Sequence, residues 1–164
     1  MVEPVCSVYP LPSTAAPDRN TDPVVNMEPD QVRTFLSHGT RTAKLATVTA
    51  DGRPHVVPVW FVLDNDDLIF TTHETSQKAQ SLRRDPRIAC CVDDERARYS
   101  YVMASGSATL STNFEDLLRW TIRIGGRYMG EDRAEEFGRR NGLLGELLVR
   151  ITPTKVTATR DVAS

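Results

Sequence analysis

Only three cysteines and two tryptophans occur in 164 residues, and what is scarce here excludes a good deal. Cys6 stands alone near the N-terminus, while Cys90 and Cys91 are neighbours that a strand would point to opposite faces, so no disulfide framework or metal-binding thiol cluster is indicated. No window approaches the roughly 18 consecutive apolar residues of a membrane-spanning helix. The N-terminus also lacks the basic and apolar regions of a secretory signal. A reduced, cytoplasmic protein is expected. An excess of one charge is missing too: 20 Lys and Arg against 22 Asp and Glu leave a formal net charge of -2, which attracts neither nucleic acid nor an anionic membrane. Any anion it binds must be caught locally. No GxGxxG or Walker motif is present, which disfavours a Rossmann or P-loop fold. His38, His55 and His73 are not spaced or accompanied by carboxylates as metal ligands would be, so no metal is expected.

What is present fits one globular domain, at 40% hydrophobic and 26% charged residues. Five of the ten prolines fall within the first 26 residues, among Ser, Thr, Asp and Asn. Such a stretch propagates neither helix nor sheet, and residues 1–26 read as a disordered or extended tail ahead of a domain at 27–164. From Glu28 the spacing of Val32, Phe35 and Leu36 predicts a short amphipathic helix ending near Gly39. Arg41 to Ala50, the turn Asp51-Gly52, Arg53 to Leu63, a polar turn and Leu68 to Thr72 predict a three-stranded antiparallel meander. Pro54 and Pro58 donate no ladder hydrogen bond, so its middle strand is expected to be an edge, to bulge there, or to offer its backbone to something other than a neighbouring strand. Ser76 to Arg84 predicts a helix stopped by Asp85-Pro86, followed by a strand from Arg87 to Asp93. Tyr99 to Ser111 reads as a long strand bent at Gly106, Asn113 to Ile124 as a helix, and Glu131 to Arg140 as another. Two β-type runs around Pro153 close the chain. The order is α+β and mainly antiparallel, with strands closing on themselves.

The segment from Phe70 to Arg87, FTTHETSQKAQSLRRDPR, runs from a strand with two terminal hydroxyl residues into a helix start that carries Lys78 in its first turn. Hydroxyl caps followed by a Lys read first as an ordinary surface helix start and alternatively, with the unpaired amides of a helix N-terminus, as an anion cradle. Arg83, Arg84 and Arg87 form a basic knot that reads first as a solvated helix end and alternatively as the partner of a cofactor tail. Cys90 and Cys91 read as packing thiols.

ADGRPHVVPVWFVLD, then LIFTTHETSQKAQSLRRDPR, then YVMASGSATL resemble, in order and separation, the pyridoxamine 5'-phosphate oxidase-like superfamily. The likeness runs from about Glu28 to the C-terminus and is greatest to the actinobacterial branch that uses the deazaflavin coenzyme F420. The resemblance implies an FMN-binding type of split β-barrel with short flanking helices, and a homodimer with cofactors in two grooves at the subunit interface. It further implies that Ser76, Gln77 and Lys78 form the phosphate-binding turn and that Thr71, Thr72 and His73 line the approach. His55, Val57, Pro58, Val59 and Trp60 would border the isoalloxazine-type ring. Apart from the resemblance, Trp60, Tyr99, Tyr101, Trp120 and Tyr128 read mostly as core or dimer contacts, with Tyr128, beside Gly126, Arg127 and Gly130, alternatively at the fringe of a substrate mouth. Pyridoxamine-phosphate oxidases carry a basic residue at each end of the ring-bordering strand, whereas this chain has Arg53 near one end and Val59 and Trp60 near the other. It also lacks their terminal Arg-Leu-x-Pro-type segment, so oxidation of vitamin B6 is not expected. The expected activity is hydride transfer between reduced F420 and a small conjugated organic substrate. The alternatives are an FMN-dependent enzyme of the same fold and a non-catalytic flavin- or tetrapyrrole-binding module.

Overall fold

Pro29 fixes the first turn of helix α1 (Pro29–Ser37), and the Gln31 side chain reaches back to the Glu28 amide at 3.0 Å to satisfy one of the helix's orphan donors. The helix buries Leu36 and rests Val32 and Phe35 on the main core, as the spacing predicts. It ends at Ser37 with His38 as its C-cap, and the next residue, Gly39, has a φ of +59° that suits a residue without a Cβ. The computed structural model describes residues 25–142 and 144–162, so residues 1–24 of the predicted tail lie outside the described residues. Val25–Asn26 forms a short strand, β1, paired with Arg160 and Thr159.

The remaining strands are β2 (Ala43–Val48), β3 (Pro54–Val59), β4 (Val62–Asp64), β5 (Asp67–His73), β6 (Arg87–Asp94), β7 (Ser100–Ser111) and β8 (Glu146–Arg160). They form one antiparallel sheet in the order β3-β2-β6-β7-β8-β5-β4. The Asp51-Gly52 hairpin joins β2 to β3 as expected, with Gly52 at φ +84°. The third strand of the predicted meander does not join it. Arg53 to Leu63 breaks at Trp60-Phe61 into β3 and β4, which lie at opposite ends of the sheet, and β5 pairs with β4 and β8. Phe61 is wholly buried while its two neighbours point elsewhere, and this anchor splits the barrel between β3 and β4. Pro54 and Pro58 accordingly sit on an edge strand.

The two C-terminal runs are a single strand. Ser105 faces Lys155 and Gly106 faces Pro153, so Thr154 is an extra residue that bulges β8 and lets the strand continue past the proline. A Cβ on Gly106 would lie 2.1 Å from the Thr152 carbonyl oxygen, which explains both the glycine and the bend. The barrel core contains Leu45, Phe61, Phe70, Val92, Val102 and Val149.

Between β7 and β8 comes a helical pair, α3 (Phe114–Met129) and α4 (Ala134–Asn141), joined by a 3-10 turn. Asn113 caps α3 by accepting from the Asp116 amide at 2.9 Å. The helix does not stop at Ile124 but runs through Gly125-Gly126. Their small size serves packing: a Cβ on Gly125 would lie 2.9 Å from the Phe137 Cβ and 3.0 Å from the Ala134 oxygen. Leu117, Trp120 and Ile124 pack on Val62, Ile69 and Leu148, closing a second, smaller core on the outside of the barrel. The helix β5 leads into, α2 (Gln77–Arg84), is the one that carries the predicted anion cradle.

Candidate cofactor site

The start of α2 is built by hydroxyls. Ser76 accepts from the Ala79 amide at 3.2 Å as N-cap and shares a 2.9 Å hydrogen bond with the buried hydroxyl of Thr72, which ties the helix to the end of β5. The capping leaves the first-turn amides of Gln77 and Lys78 without an intrahelical acceptor. Lys78 is half-buried here, and burial lowers the pKa of its ammonium, partly offset by the charge of Glu146. Two features make this position costly. An ammonium at the positive end of a helix is on the wrong side of the dipole, and among the described residues no hydrogen bond or direct ion pair reaches it.

A hollow of about 390 Å³, open to solvent, lies over this helix start. Of the predicted site residues it brings together Pro58, Val59 and Trp60 from the end of β3, Thr71, Thr72 and His73 from β5, and Lys78. His55 and Gln77 line a neighbouring polar hollow of about 600 Å³ with Arg53, Gln80 and Arg84. Ser76 lines neither and acts through its cap. Val57 also lines neither: its side chain alternates to the inner face and packs against the barrel core. The basic knot is divided as well. Arg84 donates to the Val48 carbonyl and edges the second hollow, Arg83 pairs with Glu74, and Arg87 pairs with Asp85.

Trp60, 39% exposed, stacks on Tyr128 with ring centroids 4.8 Å apart and planes within 2° of parallel. The Tyr128 hydroxyl is committed to structure: it donates to the Arg41 carbonyl at 2.8 Å and accepts from the Phe61 amide at 3.2 Å. Beside it, the half-buried Arg127 guanidinium donates to the carbonyls of Leu36, Phe61 and Gly39 at 2.7, 2.8 and 2.9 Å. Arg127 and Tyr128 thus hold the β3–β4 break, and with it the Trp60 ring, against α3. They support the Trp60 ring from behind.

Three members of the hollow escaped the sequence: Glu146 at the start of β8, Asn141 at the end of α4, and Ile124 on α3. Glu146 is paired in register with His73, and burial raises its carboxyl pKa, opposed by the charges of His73 and Lys78. No local motif marks it, because a strand pairing across 73 residues of chain delivers it.

A sheet split between β3 and β4, with a helix start opening into a hollow beside the split, defines an α+β split-barrel protein of the flavin-binding type. The family model described as pyridoxamine 5'-phosphate oxidase matches residues 28–160, and the chain belongs to that family. Among solved structures it is similar to a conserved hypothetical protein from Mycobacterium tuberculosis, at 26% identity and a TM-score of 0.74 over 84% of this chain and 87% of that one. It is also similar to an F420 reductase, at 24% identity and a TM-score of 0.58 over 74% and 92% of the two chains. The heme storage protein HutZ from Vibrio cholerae shares the fold at 20% identity and a TM-score of 0.64, over 79% and 93%. Members of the family bind flavins and include oxidoreductases.

Proposed function

We propose that this chain is an oxidoreductase that holds coenzyme F420, or alternatively FMN, in the hollow over the start of α2. One observation carries the reading: Lys78 is a half-buried cation at the positive end of a helix, with no direct anionic partner among the described residues. A phosphate there would meet the ammonium and the free first-turn amides together. Pro58 and Trp60, at the end of an edge strand, supply a flat wall for a planar ring. When bound, such a cofactor supplies the hydride, and a small conjugated substrate stacked on its ring accepts it. The protein's own residues position the ring, hold the phosphate and keep water from the reacting face. Similarity to an F420 reductase favours the deazaflavin.

The reading includes a homodimer. The outer faces of β3, β2, β6 and β7 align Val56, Ala46, Ala89 and Ser105 in register, with Val48, Cys91 and Met103 beside them. Val56 is 61% exposed and Met103 45%, an uncovered apolar sheet face with Pro58 on its margin. A second copy on that face would wall the open side of the hollow. Light scattering should report about twice the 18.3 kDa chain mass, and a monomer that still binds cofactor would refute the shared site. The function itself is tested by gel filtration after incubation with F420 or FMN. A co-eluting chromophore that consumes reductant in the presence of a conjugated acceptor is the expected result; retention without turnover would assign a binding module, and no retention would refute the reading.

A further inference from the structure

Lys78 and Glu146 line the same hollow yet form no direct ion pair. Among the described residues Glu146 is the only carboxylate lining that hollow, and it comes from β8, directly opposite His73 of β5. The His73 ring is fixed on both sides. Its Nδ1 accepts from the Thr75 amide at 3.3 Å and lies 2.8 Å from the Thr75 hydroxyl, while a Cβ on Gly145 would lie 2.8 Å from its Nε2. Gly145, at φ +92°, therefore lets the chain enter β8 pressed against the ring and sets Glu146 beside it. The charged and titratable groups facing Glu146 are His73 from β5 and Lys78 from α2; α4 and α3 present the uncharged Asn141 and Ile124. Glu74, next in sequence to His73, is engaged by Arg83.

We propose that an anionic group entering beside Lys78 displaces the Glu146 carboxylate as the nearest negative charge to that ammonium, so that Glu146 takes up a proton when the anion binds. This rests on the cofactor-site reading above. Two anions cannot both be balanced by one half-buried ammonium in a partly desolvated hollow, and protonating the carboxyl removes the repulsion. The carboxyl begins the process already biased toward its neutral form by burial. Anion affinity is then linked to pH: it is highest below the free-state pKa of Glu146, weakens by up to about tenfold per pH unit between that pKa and the higher one in the complex, and levels off above it. A phosphate monoester's own second ionisation, near pH 6, pulls the other way, and the diester of F420 lacks it.

The test is calorimetric titration of the full chain with F420, FMN and inorganic phosphate at several pH values, in buffers of different ionisation enthalpy. Wild type should take up protons on binding F420, and affinity should fall with rising pH across the range where that uptake is measured. Glu146→Gln should abolish most of the uptake, flatten the profile and bind about tenfold or more tighter at the alkaline end. The uptake measurement on wild type stands even if the variant does not fold. F420 or FMN binding that is weakened by Lys78→Ala but shows no proton uptake overturns this inference and leaves the cofactor site standing. A Glu146→Gln protein with the wild-type pH profile also overturns it. No binding of any of the three anions overturns both.

Discussion

Replacing Lys78 by Ala separates a cofactor site from a decorated barrel, because the two readings predict opposite balances between stability and binding. In the free protein the ammonium is half-buried, opposed by the helix dipole and attracted only at a distance by Glu146. Removing it relieves desolvation, and Ala is the better helix former, while the Ser76 cap and the Thr72–Ser76 hydrogen bond remain in place. Stability should therefore stay within about 0.5 kcal/mol of wild type or rise slightly. Binding should suffer instead. A charge-assisted hydrogen bond to phosphate contributes about 1.5–3 kcal/mol, or about 10- to 150-fold in affinity. The assay is a fluorescence titration with F420 and with FMN at low and high salt, alongside a thermal melt. Salt should weaken wild type more than the variant, since screening acts on an interaction the variant has lost. Equal affinities of the two proteins for both cofactors would remove Lys78 from the site, and a marked fall in melting temperature would show that its role is structural.

Further expectations follow from the scaffold. Gly106→Ala places a Cβ 2.1 Å from the Thr152 oxygen, so it should cost about 1–3 kcal/mol or more and lower the melting temperature by several degrees; an unchanged melt would mean the β7–β8 crossing relaxes freely. Arg127→Lys keeps the charge but loses the fork that serves three carbonyls, and a loss of about 3 kcal/mol is expected by denaturant unfolding, with the tryptophan fluorescence changing as the Tyr128 wall against Trp60 loosens. Asp94 accepts from Arg96 and Arg41, which hold its carboxyl below the ordinary carboxylate range. A depressed folded pKa contributes stability that is present above the unfolded value, near 4, and is lost as pH falls through the folded value. Asp94→Asn should therefore melt below wild type at pH 7, with the gap closing below about pH 4; a gap that is constant with pH would refute the assignment.

The sequence by itself determined the local elements and their punctuation. Asp51-Gly52 specified a hairpin, Ser76 and Asp85-Pro86 bounded α2, and Pro54 and Pro58 limited β3 to an edge, a bulge or a strand facing something other than a neighbour, because each effect acts within a few residues through backbone geometry or a missing donor. The order of three segments was enough to indicate the family and the split barrel. Long-range packing decided the rest. Gly125-Gly126 read as a helix end, yet α4 presses on α3 there and turns the pair into a contact site. Trp60-Phe61 read as strand interior, yet burial of Phe61 and the grip of Arg127 and Tyr128 break the strand and open the barrel. The two-residue period of β3 turns the side chain of Val57 toward the barrel core, a direction that fixed pairing with β2 decides. Glu146 carried no signal, since its proximity to Lys78 exists only when β8 pairs with β5, 73 residues away in the chain, and brings a carboxylate from the C-terminal strand to the start of α2.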